Sequence, residues 1–137
     1  LEGANVATVD KFAFSDDGRS TLGTGLSSAR QALAGAANSG TAAYFAGGLT
    51  SGAVATVDKF AFSDDGRSTL GTGLSSARYG LAGAANSGTA AYFAGGTYPN
   101  VATVDKFAFS DDSRSTLGTG LAIATYGLAG AANSPTL

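Results

Sequence analysis

The stretch VATVDKFAFSDD at residues 6–17 occurs again, unchanged, at residues 54–65 and 101–112. The copies begin 48 and then 47 residues apart, within the range of roughly 20–50 residues that is typical of repeat architectures. Copies this similar should adopt one conformation each and pack on one another by a repeated operation. We therefore predict that the 137 residues form a single domain of repeats. Its units span approximately residues 6–53, 54–100 and 101–137.

Each unit contains the signals of four short β-strands. In the first unit, apolar and polar residues alternate over residues 6–14, which is typical of a strand. The Ser-Asp-Asp-Gly sequence after it is typical of a hairpin turn. Further strands are predicted over residues 20–26, 33–38 and 41–48. No helical periodicity persists for a dozen residues, and short strands at this spacing indicate an all-β fold.

The distribution of side-chain size favours a β-propeller among the all-β folds. Residues 33–37, Leu-Ala-Gly-Ala-Ala, are mostly small, as the crowded innermost strand of a radial blade requires. Phe12, Phe14, Tyr44 and Phe45 lie on strands that could fill the wider space between blades. Blades of four strands around a central channel combine these two features. The alternative is a β-solenoid, whose coils of about 20–30 residues match the longer period less well.

The repeat resembles the kelch repeat, a β-propeller family. The sequence AYFAGG, at residues 43–48 and 91–96, is similar to the kelch strand that ends in a double glycine. VATVDKFAFSDD resembles the next strand and its acidic turn. Residues 74–88 resemble the family's arginine loop, small inner strand and turn. The resemblance implies a propeller of kelch-like four-stranded blades, with about three repeats per chain, that acts as a binding platform.

On this basis the LAGAA segment is the innermost strand of a blade, so the chain starts at the third strand of one blade. Two complete blades follow, and the chain ends on the first strand of another, which makes eleven strands. About three repeats are too few to close a ring, because propellers have about four or more blades. Open flanks and edges favour association. Either a homodimer closes a six-bladed ring, a higher homo-oligomer forms, or the chain is part of a larger repeat protein.

Loops on one face of the expected propeller carry the candidate residues for binding a partner. The resemblance implies that the arginine loops and the loops after the double glycine share this face. Aromatic and arginine side chains are favoured anchors in recognition, and the partner would be a glycan or a protein surface. The candidates are Arg30, Arg78, Tyr79, Tyr98, Asn100 and Tyr126.

The two candidate arginines also have a structural interpretation. Each could pair with a strand carboxylate such as Asp10 or Asp58 and tie its loop to a blade. Thr125 takes the arginine's position in the third unit, where Asp105 remains. Either the pairing is dispensable in that unit, or Asp105 has another partner.

The adjacent carboxylates of Asp16 and Asp17 raise the possibility of a calcium site, since hard cations prefer oxygen ligands. The spaced acidic ligands of a calcium-binding loop are missing from this stretch. Neighbouring residues of a strand also point in opposite directions. We therefore interpret the stretch as a hairpin turn with solvated charges and predict no metal site.

Composition argues against several classes of function. The chain has no histidine and no cysteine, which removes the commonest proton shuttle and metal ligand. Its carboxylates recur with the repeat at Asp16, Asp64 and Asp111, whereas catalytic acids should break that symmetry. We predict no catalytic residue, no enzymatic activity and no cofactor. A net charge of −2 without a basic run argues against nucleic-acid binding. The sequence also lacks an apolar run of about 18 residues, so we predict no membrane insertion.

Two function classes remain. The favoured one is a structural or assembly protein whose partner is itself, because near-identical repeats with open flanks suit self-association. The alternative is a multivalent binding module that is lectin-like or protein-binding, in which equivalent loops around a ring raise avidity.

Overall fold

The chain forms ten β-strands in three antiparallel sheets in the computed structural model, which describes residues 3–133. This range contains no helix, and hence none long and apolar enough to cross a membrane. The strands are β1 (Asp10–Phe12), β2 (Arg19–Thr21), β3 (Ala34–Asn38), β4 (Ala42–Ala46), β5 (Val57–Ala61), β6 (Arg67–Thr69), β7 (Ala82–Asn86), β8 (Ala90–Ala94), β9 (Val104–Ala108) and β10 (Arg114–Thr116). The first sheet is β1–β2, the second is β3–β4–β5–β6, and the third is β7–β8–β9–β10. The prediction of an all-β fold is confirmed.

The first strand is shorter than the sequence pattern predicts. Residues 6–14 were expected to be extended, but β1 covers only Asp10–Phe12. The same sequence forms five-residue strands in the other two units, Val57–Ala61 and Val104–Ala108. Those strands pair with a neighbour on each side, whereas β1 pairs with β2 alone. Because half of its ladder hydrogen bonds are missing, the ends of β1 are not held in the sheet.

The second predicted strand is wrong in extent. It was expected over residues 20–26, but the ladder ends at Thr21. The chain then turns across the start of the unit, where the Leu26 amide donates to the Ala7 carbonyl oxygen at 2.7 Å. A Cβ atom at Gly25 would lie 2.2 Å from that oxygen. A glycine is therefore needed where the two segments cross, and the residues around it cannot continue the strand.

The LAGAA segments of successive units stack through their glycines. A Cβ atom at Gly83 would lie 2.2 Å from the Gly35 carbonyl oxygen, and one at Gly130 would lie 2.0 Å from the Gly83 carbonyl oxygen. The small residues of the LAGAA segments thus occur where backbones approach most closely.

The eleventh predicted strand, at residues 128–132, does not form. These residues lie beside β7, but the only bridge nearby in the described chain is an isolated parallel one between Asn133 and Asn86. In the second and third sheets the LAGAA strand pairs with the AAYFA strand that follows it. Within the described residues, no such strand follows position 132.

The main hydrophobic core lies between the second and third sheets. Alternate residues of β4 are buried, so that one face of the second sheet meets the third. Tyr44 and Val57 come from the second sheet, and Ala91, Phe93 and Phe107 come from the third; none is more than 1% exposed. The rings of Phe93 and Phe107 pack edge to face, 5.9 Å apart.

Phe12 and Phe14, in and next to β1 of the first sheet, do not fill an interior, contrary to expectation. Phe12 is 59% exposed, whereas its counterparts Phe60 and Phe107 are 3% and 0% exposed. Phe14 is fully exposed. The difference arises because, among the described residues, no further sheet packs on the outer face of the first sheet.

Candidate assembly interface

The hairpin turn between β9 and β10 positions a carboxylate against the second sheet. Asp112 has a φ of 58°, a left-handed conformation that aspartate tolerates in turns. Its amide donates to the Ala108 carbonyl oxygen at 2.9 Å. The side chain of Asp111 accepts a hydrogen bond from the Ser113 amide at 3.0 Å. These bonds fix the turn and leave the Asp112 carboxylate free to contact a neighbouring sheet.

Two side chains of the second sheet share that carboxylate. Tyr44 and Lys59 are opposite each other in the β4–β5 ladder, so they lie on the same face. The Tyr44 hydroxyl donates to Asp112 Oδ1 at 2.7 Å, and Lys59 Nζ donates to Asp112 Oδ2 at 2.7 Å. The Tyr44 ring also packs on Phe109, with ring centroids 5.3 Å apart. One residue of the third sheet thus anchors a strand pair of the second.

The protonation states in this cluster favour the contact at neutral pH. Burial raises the pKa of Tyr44 above 10.0, and the hydrogen bond to Asp112 raises it further. Burial alone would lower the pKa of Lys59, but the hydrogen bonds and charge interactions with Asp112 and Tyr44 together outweigh burial, and the pKa is raised. Tyr44 is therefore a neutral donor and Lys59 a charged donor to a single acceptor.

A simpler version of the contact joins the first and second sheets. Lys11 Nζ donates to both oxygens of Asp65, at 2.8 Å and 3.0 Å. Lys11 matches Lys59, and each lysine contacts the aspartate 53 or 54 residues further along the chain. No tyrosine joins this pair within the described residues. The interface is therefore periodic, with one member missing at the first sheet.

The outer faces carry the same groups without this contact. On the third sheet, Tyr92 and Lys106 match the two donors, and Lys106 Nζ lies 5.9 Å from the centre of the Tyr92 ring. On the first sheet, Asp17 has a φ of 55° and matches Asp112. Among residues 3–133, no side-chain hydrogen bond or ion pair involves Tyr92, Lys106 or Asp17. One end of the row of sheets thus presents donors and the other end presents the acceptor.

Buried ion pairs tie the arginine loops to the sheets. Arg30 pairs with Asp58 rather than Asp10, with Nη2 at 3.0 Å from Oδ2, and both side chains are buried. The amide and hydroxyl of Ser27 donate to the same oxygen at 2.8 and 2.9 Å. Thr69 Oγ1 donates to the other oxygen at 2.7 Å. Burial would raise the pKa of Asp58, but these bonds and the Arg30 charge together lower it.

The second arginine repeats the arrangement and shows which residue pairs with Asp105, although Thr125 replaces the arginine of the third unit. Arg78 Nη1 lies 3.0 Å from Asp105 Oδ2, and both side chains are buried. Thr116 Oγ1 and Ser75 donate to the Asp105 carboxylate, and its pKa is lowered although burial opposes this. Asp105 is thus paired with the arginine of the preceding unit and needs none at position 125.

The structure separates the six candidate binding residues into two groups. Arg30 and Arg78 are 3% and 1% exposed, so they do not lie on an open rim as expected. Both guanidinium groups instead pair with carboxylates and donate to backbone carbonyl oxygens. Tyr98 and Tyr126 are 69% and 59% exposed. Asn100 is exposed and Tyr79 is half-buried.

Backbone contacts bring the loops of the three tyrosines together. Tyr79 and Thr97 exchange backbone hydrogen bonds of 3.3 and 2.9 Å, which places Tyr98 next to this bridge. The Gly127 amide donates to the Gly80 carbonyl oxygen at 2.7 Å, which brings Tyr126 to the same region. The loops of the three tyrosines thus lie close together, whereas Arg30 and Arg78 are buried.

Asp16, one of the two carboxylates that raised the possibility of a calcium site, stabilises its turn, as do its counterparts Asp64 and Asp111 in the other units. Asp16 Oδ1 accepts from the Gly18 amide at 2.9 Å, and Asp64 Oδ1 accepts from the Gly66 amide at 2.8 Å. Hydrogen bonds from Ser113 lower the pKa of Asp111. In the part of the chain that the structure covers, no group of three or more His, Cys, Asp or Glu side chains could hold a metal ion.

The lysine–aspartate contacts were not anticipated from the sequence. A lysine recurs in each VDKFAF strand and an aspartate at each turn, which is a visible signal. The pairing crosses from one unit to the next, however, so no inspection of a single unit shows it. Tyr44 offered a further hint, because a tyrosine on a buried strand needs a partner for its hydroxyl.

No protein-family model matches the chain, and no curated protein matches it.

Proposed function

We propose that this chain is a non-catalytic assembly module of the β-propeller type, with kelch-like blades, that self-associates through the flanks of its repeat units. Its support comes from the order of strands within the two four-stranded sheets. In both, the small LAGAA strand is at one edge and the strand order follows the chain. The LAGAA edges are also where the sheets approach most closely, as at Gly35 and Gly83. Wedges arranged around an axis would have this property.

The observation that carries the proposal is the complementarity of the two outer faces. The internal interface joins Tyr44 and Lys59 of one sheet to Asp112 of the next. The outer face of the third sheet presents the same donors, Tyr92 and Lys106. The outer face of the first sheet presents the same acceptor, Asp17. A second copy placed by the internal operation would bring its Asp17 to Tyr92 and Lys106. Its exposed Phe14 would then cover the Tyr92 ring, as Phe109 covers Tyr44.

Such a contact is head-to-tail, since different surfaces of the two copies meet. Head-to-tail interfaces form rings when the rotation closes and filaments when it does not. In the six-bladed case, two copies close the ring. A different rotation between sheets would lead to larger assemblies by the same contact.

A charge-swap experiment tests this contact. Sedimentation velocity over a range of protein concentrations should show association of the wild-type chain. Asp17→Lys or Lys106→Asp alone should weaken association about tenfold or more, because like charges then meet across the interface. The double variant should recover association, and Thr24→Lys, in an exposed loop, serves as the control. A wild-type chain that stays monomeric at every concentration, or single variants that associate normally, would overturn the proposal.

A second candidate function is recognition of a glycan or protein surface by the exposed tyrosines. It is favoured because backbone hydrogen bonds bring together the loops that carry the exposed Tyr98 and Tyr126 and the half-buried Tyr79. Aromatic side chains on such a surface are suitable anchors. Binding on a glycan array should disappear in Tyr98→Ala and Tyr126→Ala if this candidate is correct. An array without hits at high protein concentration would contradict it for glycans.

A further inference from the structure

The free edge of β1 borders an apolar groove. In the second sheet, the edge of β5 that matches it pairs with β4, where the Gly47 amide donates to the Thr56 carbonyl oxygen and the Phe62 amide donates to the Thr41 carbonyl oxygen. The matching backbone groups, the Thr8 carbonyl and the Phe14 amide, have no backbone partner within residues 3–133. Beside them is a cavity of about 370 Å³. Its lining is mainly apolar and includes Val9, Phe12, Leu22, Phe45, Phe60 and Asp65.

The internal interface shows what fills the equivalent space. Shifting four of the groove residues, Val9, Phe45, Phe60 and Asp65, by one repeat leads to Val57, Phe93, Phe107 and Asp112. The first three belong to the buried cluster that contains Tyr44, and Asp112 accepts a hydrogen bond from the Tyr44 hydroxyl. In the groove, the corresponding aspartate is Asp65. The cavity therefore has the walls and the acceptor of a tyrosine pocket.

The hydrogen bonds of the two aspartates support this comparison. Asp112 divides its oxygens between the Tyr44 hydroxyl and the Lys59 ammonium. Both oxygens of Asp65 accept hydrogen bonds from Lys11 Nζ, at 2.8 and 3.0 Å. A hydroxyl that entered the groove could donate to one Asp65 oxygen while Lys11 remained bonded to the other, so the Lys11–Asp65 ion pair would be kept.

We infer that this groove is a strand-acceptor site for an extended segment of a partner polypeptide with the sequence pattern Ala-Ala-Tyr-Phe-Ala. The segment would add to β1 as an antiparallel strand, a known mode of peptide recognition in which backbone bonds supply affinity and alternate side chains supply specificity. The register follows from the β4–β5 ladder. It places the incoming tyrosine opposite Lys11 and the incoming phenylalanine opposite Asp10.

The two aromatic residues of the segment would face opposite sides of the first sheet. Its tyrosine would enter the cavity and donate to Asp65. Its phenylalanine would pack on Phe12, as Phe45 packs edge to face on Phe60 with ring centroids 5.7 Å apart. Phe12 is 59% exposed, so it is available for this contact. Exchanging the two aromatic residues would place the hydroxyl on the wrong face.

This inference concerns the edge of β1, and it does not depend on the head-to-tail contact between outer faces. In an assembly the added strand would complete the blade that begins with residues 128–132 and continues with β1–β2. A monomeric chain would still possess the groove. Tests at concentrations where the chain is monomeric therefore separate failure of this inference from failure of the proposed function.

The test uses the synthetic peptide Thr-Ala-Ala-Tyr-Phe-Ala-Gly-Gly, which has the sequence of residues 41–48. Titration followed by calorimetry and by amide NMR shifts should show saturable binding of one peptide per chain. New hydrogen-exchange protection should appear at the free edge of β1, at Phe12 and Phe14. A peptide with Tyr replaced by Phe should bind about 2–10-fold more weakly, the value of one hydrogen bond. The peptide with the two aromatic residues exchanged should bind more weakly still.

Matched protein variants locate the site. Asp65→Asn should reduce affinity for the tyrosine peptide and leave that for the phenylalanine peptide nearly unchanged. Asp17→Asn is the control, because it alters the same turn position on the outer side of the first sheet. No binding at millimolar peptide would overturn the inference. Equal binding of the exchanged peptide, or equal effects of the two variants, would overturn it as well.

Discussion

Asp58 and Asp105 show how single residues hold loops to sheets in this protein. Each carboxylate is fully buried and accepts hydrogen bonds from a serine amide, a serine hydroxyl and a threonine hydroxyl, beside an arginine. A charge is tolerated in the interior only when it is paired and its remaining lone pairs are satisfied. The pairs therefore make the arginine loops part of the framework instead of a free binding surface.

These carboxylates predict acid sensitivity. Burial opposes ionisation, but the hydrogen bonds and arginines lower the pKa of both groups below the ordinary 3.8. A depressed pKa in the folded state means that the stabilisation is present above about pH 4–5 and is lost as the pH falls through the folded value. Denaturant midpoints should be constant near neutral pH and should drop steeply below pH 4.

An asparagine variant checks the cause of that drop. Asp105→Asn should lower the free energy of unfolding at pH 7 by roughly 3–5 kcal/mol, because it leaves Arg78 buried without its counter-charge. Its unfolding should also depend less on pH. Asp10→Asn, at an exposed carboxylate, should change little. A variant at position 105 with the pH profile of the wild-type chain would contradict the assignment.

The edge strands β3 and β7 illustrate how packing on a neighbour can determine an element. β3 and β7 contain Ala-Gly-Ala-Ala-Asn, a sequence with weak intrinsic preference for a strand. It is extended here because it pairs with the AAYFA strand in register. Gly83 lies against the Gly35 carbonyl, where no larger residue fits. Packing thus overrides propensity in these strands.

Substitution of the stacked glycine tests this account. A Cβ at Gly83 would lie 2.2 Å from a backbone oxygen, so Gly83→Ala must separate the two sheets. We expect a loss of about 1–3 kcal/mol or more in the free energy of unfolding, the cost of overpacking. Gly23→Ala is the control, since nothing lies within 4 Å of its added methyl group. Equal stability of the two variants in urea unfolding would contradict close stacking.

The three sheets are unequal although their sequences are nearly the same. Every residue of β1 and β2 is exposed, while Val57, Asp58 and Phe60 of the matching β5 are buried. The main difference is the number of neighbours: the second sheet has one on each face, and β5 pairs on both edges. Stability in such arrays is the sum of unit and interface contributions. The first sheet therefore has the lowest local stability among the described sheets.

Hydrogen exchange measures this gradient directly. Asp10–Phe12 and Asp58–Phe60 have the same sequence, so their intrinsic exchange rates are matched. Amides of the first segment should exchange at least about tenfold faster, because local opening there breaks few contacts. Equal protection of the two segments at a concentration where the chain is monomeric would show that the first sheet is held by contacts other than those described.

Local sequence was sufficient for the repeat, the all-β class, the Ser-Asp-Asp turns and the strands near residues 33–38 and 41–48, because alternation and turn chemistry act over a few residues. It was insufficient for the length of β1 and for the absence of a strand at residues 128–132, since identical segments differ only in what pairs with them. Which carboxylates pair with Lys59 and Arg78 was decided by tertiary structure, although a strand carboxylate was one partner that the sequence suggested for each arginine. Those contacts join successive units, and their geometry exists only once the sheets have packed on one another.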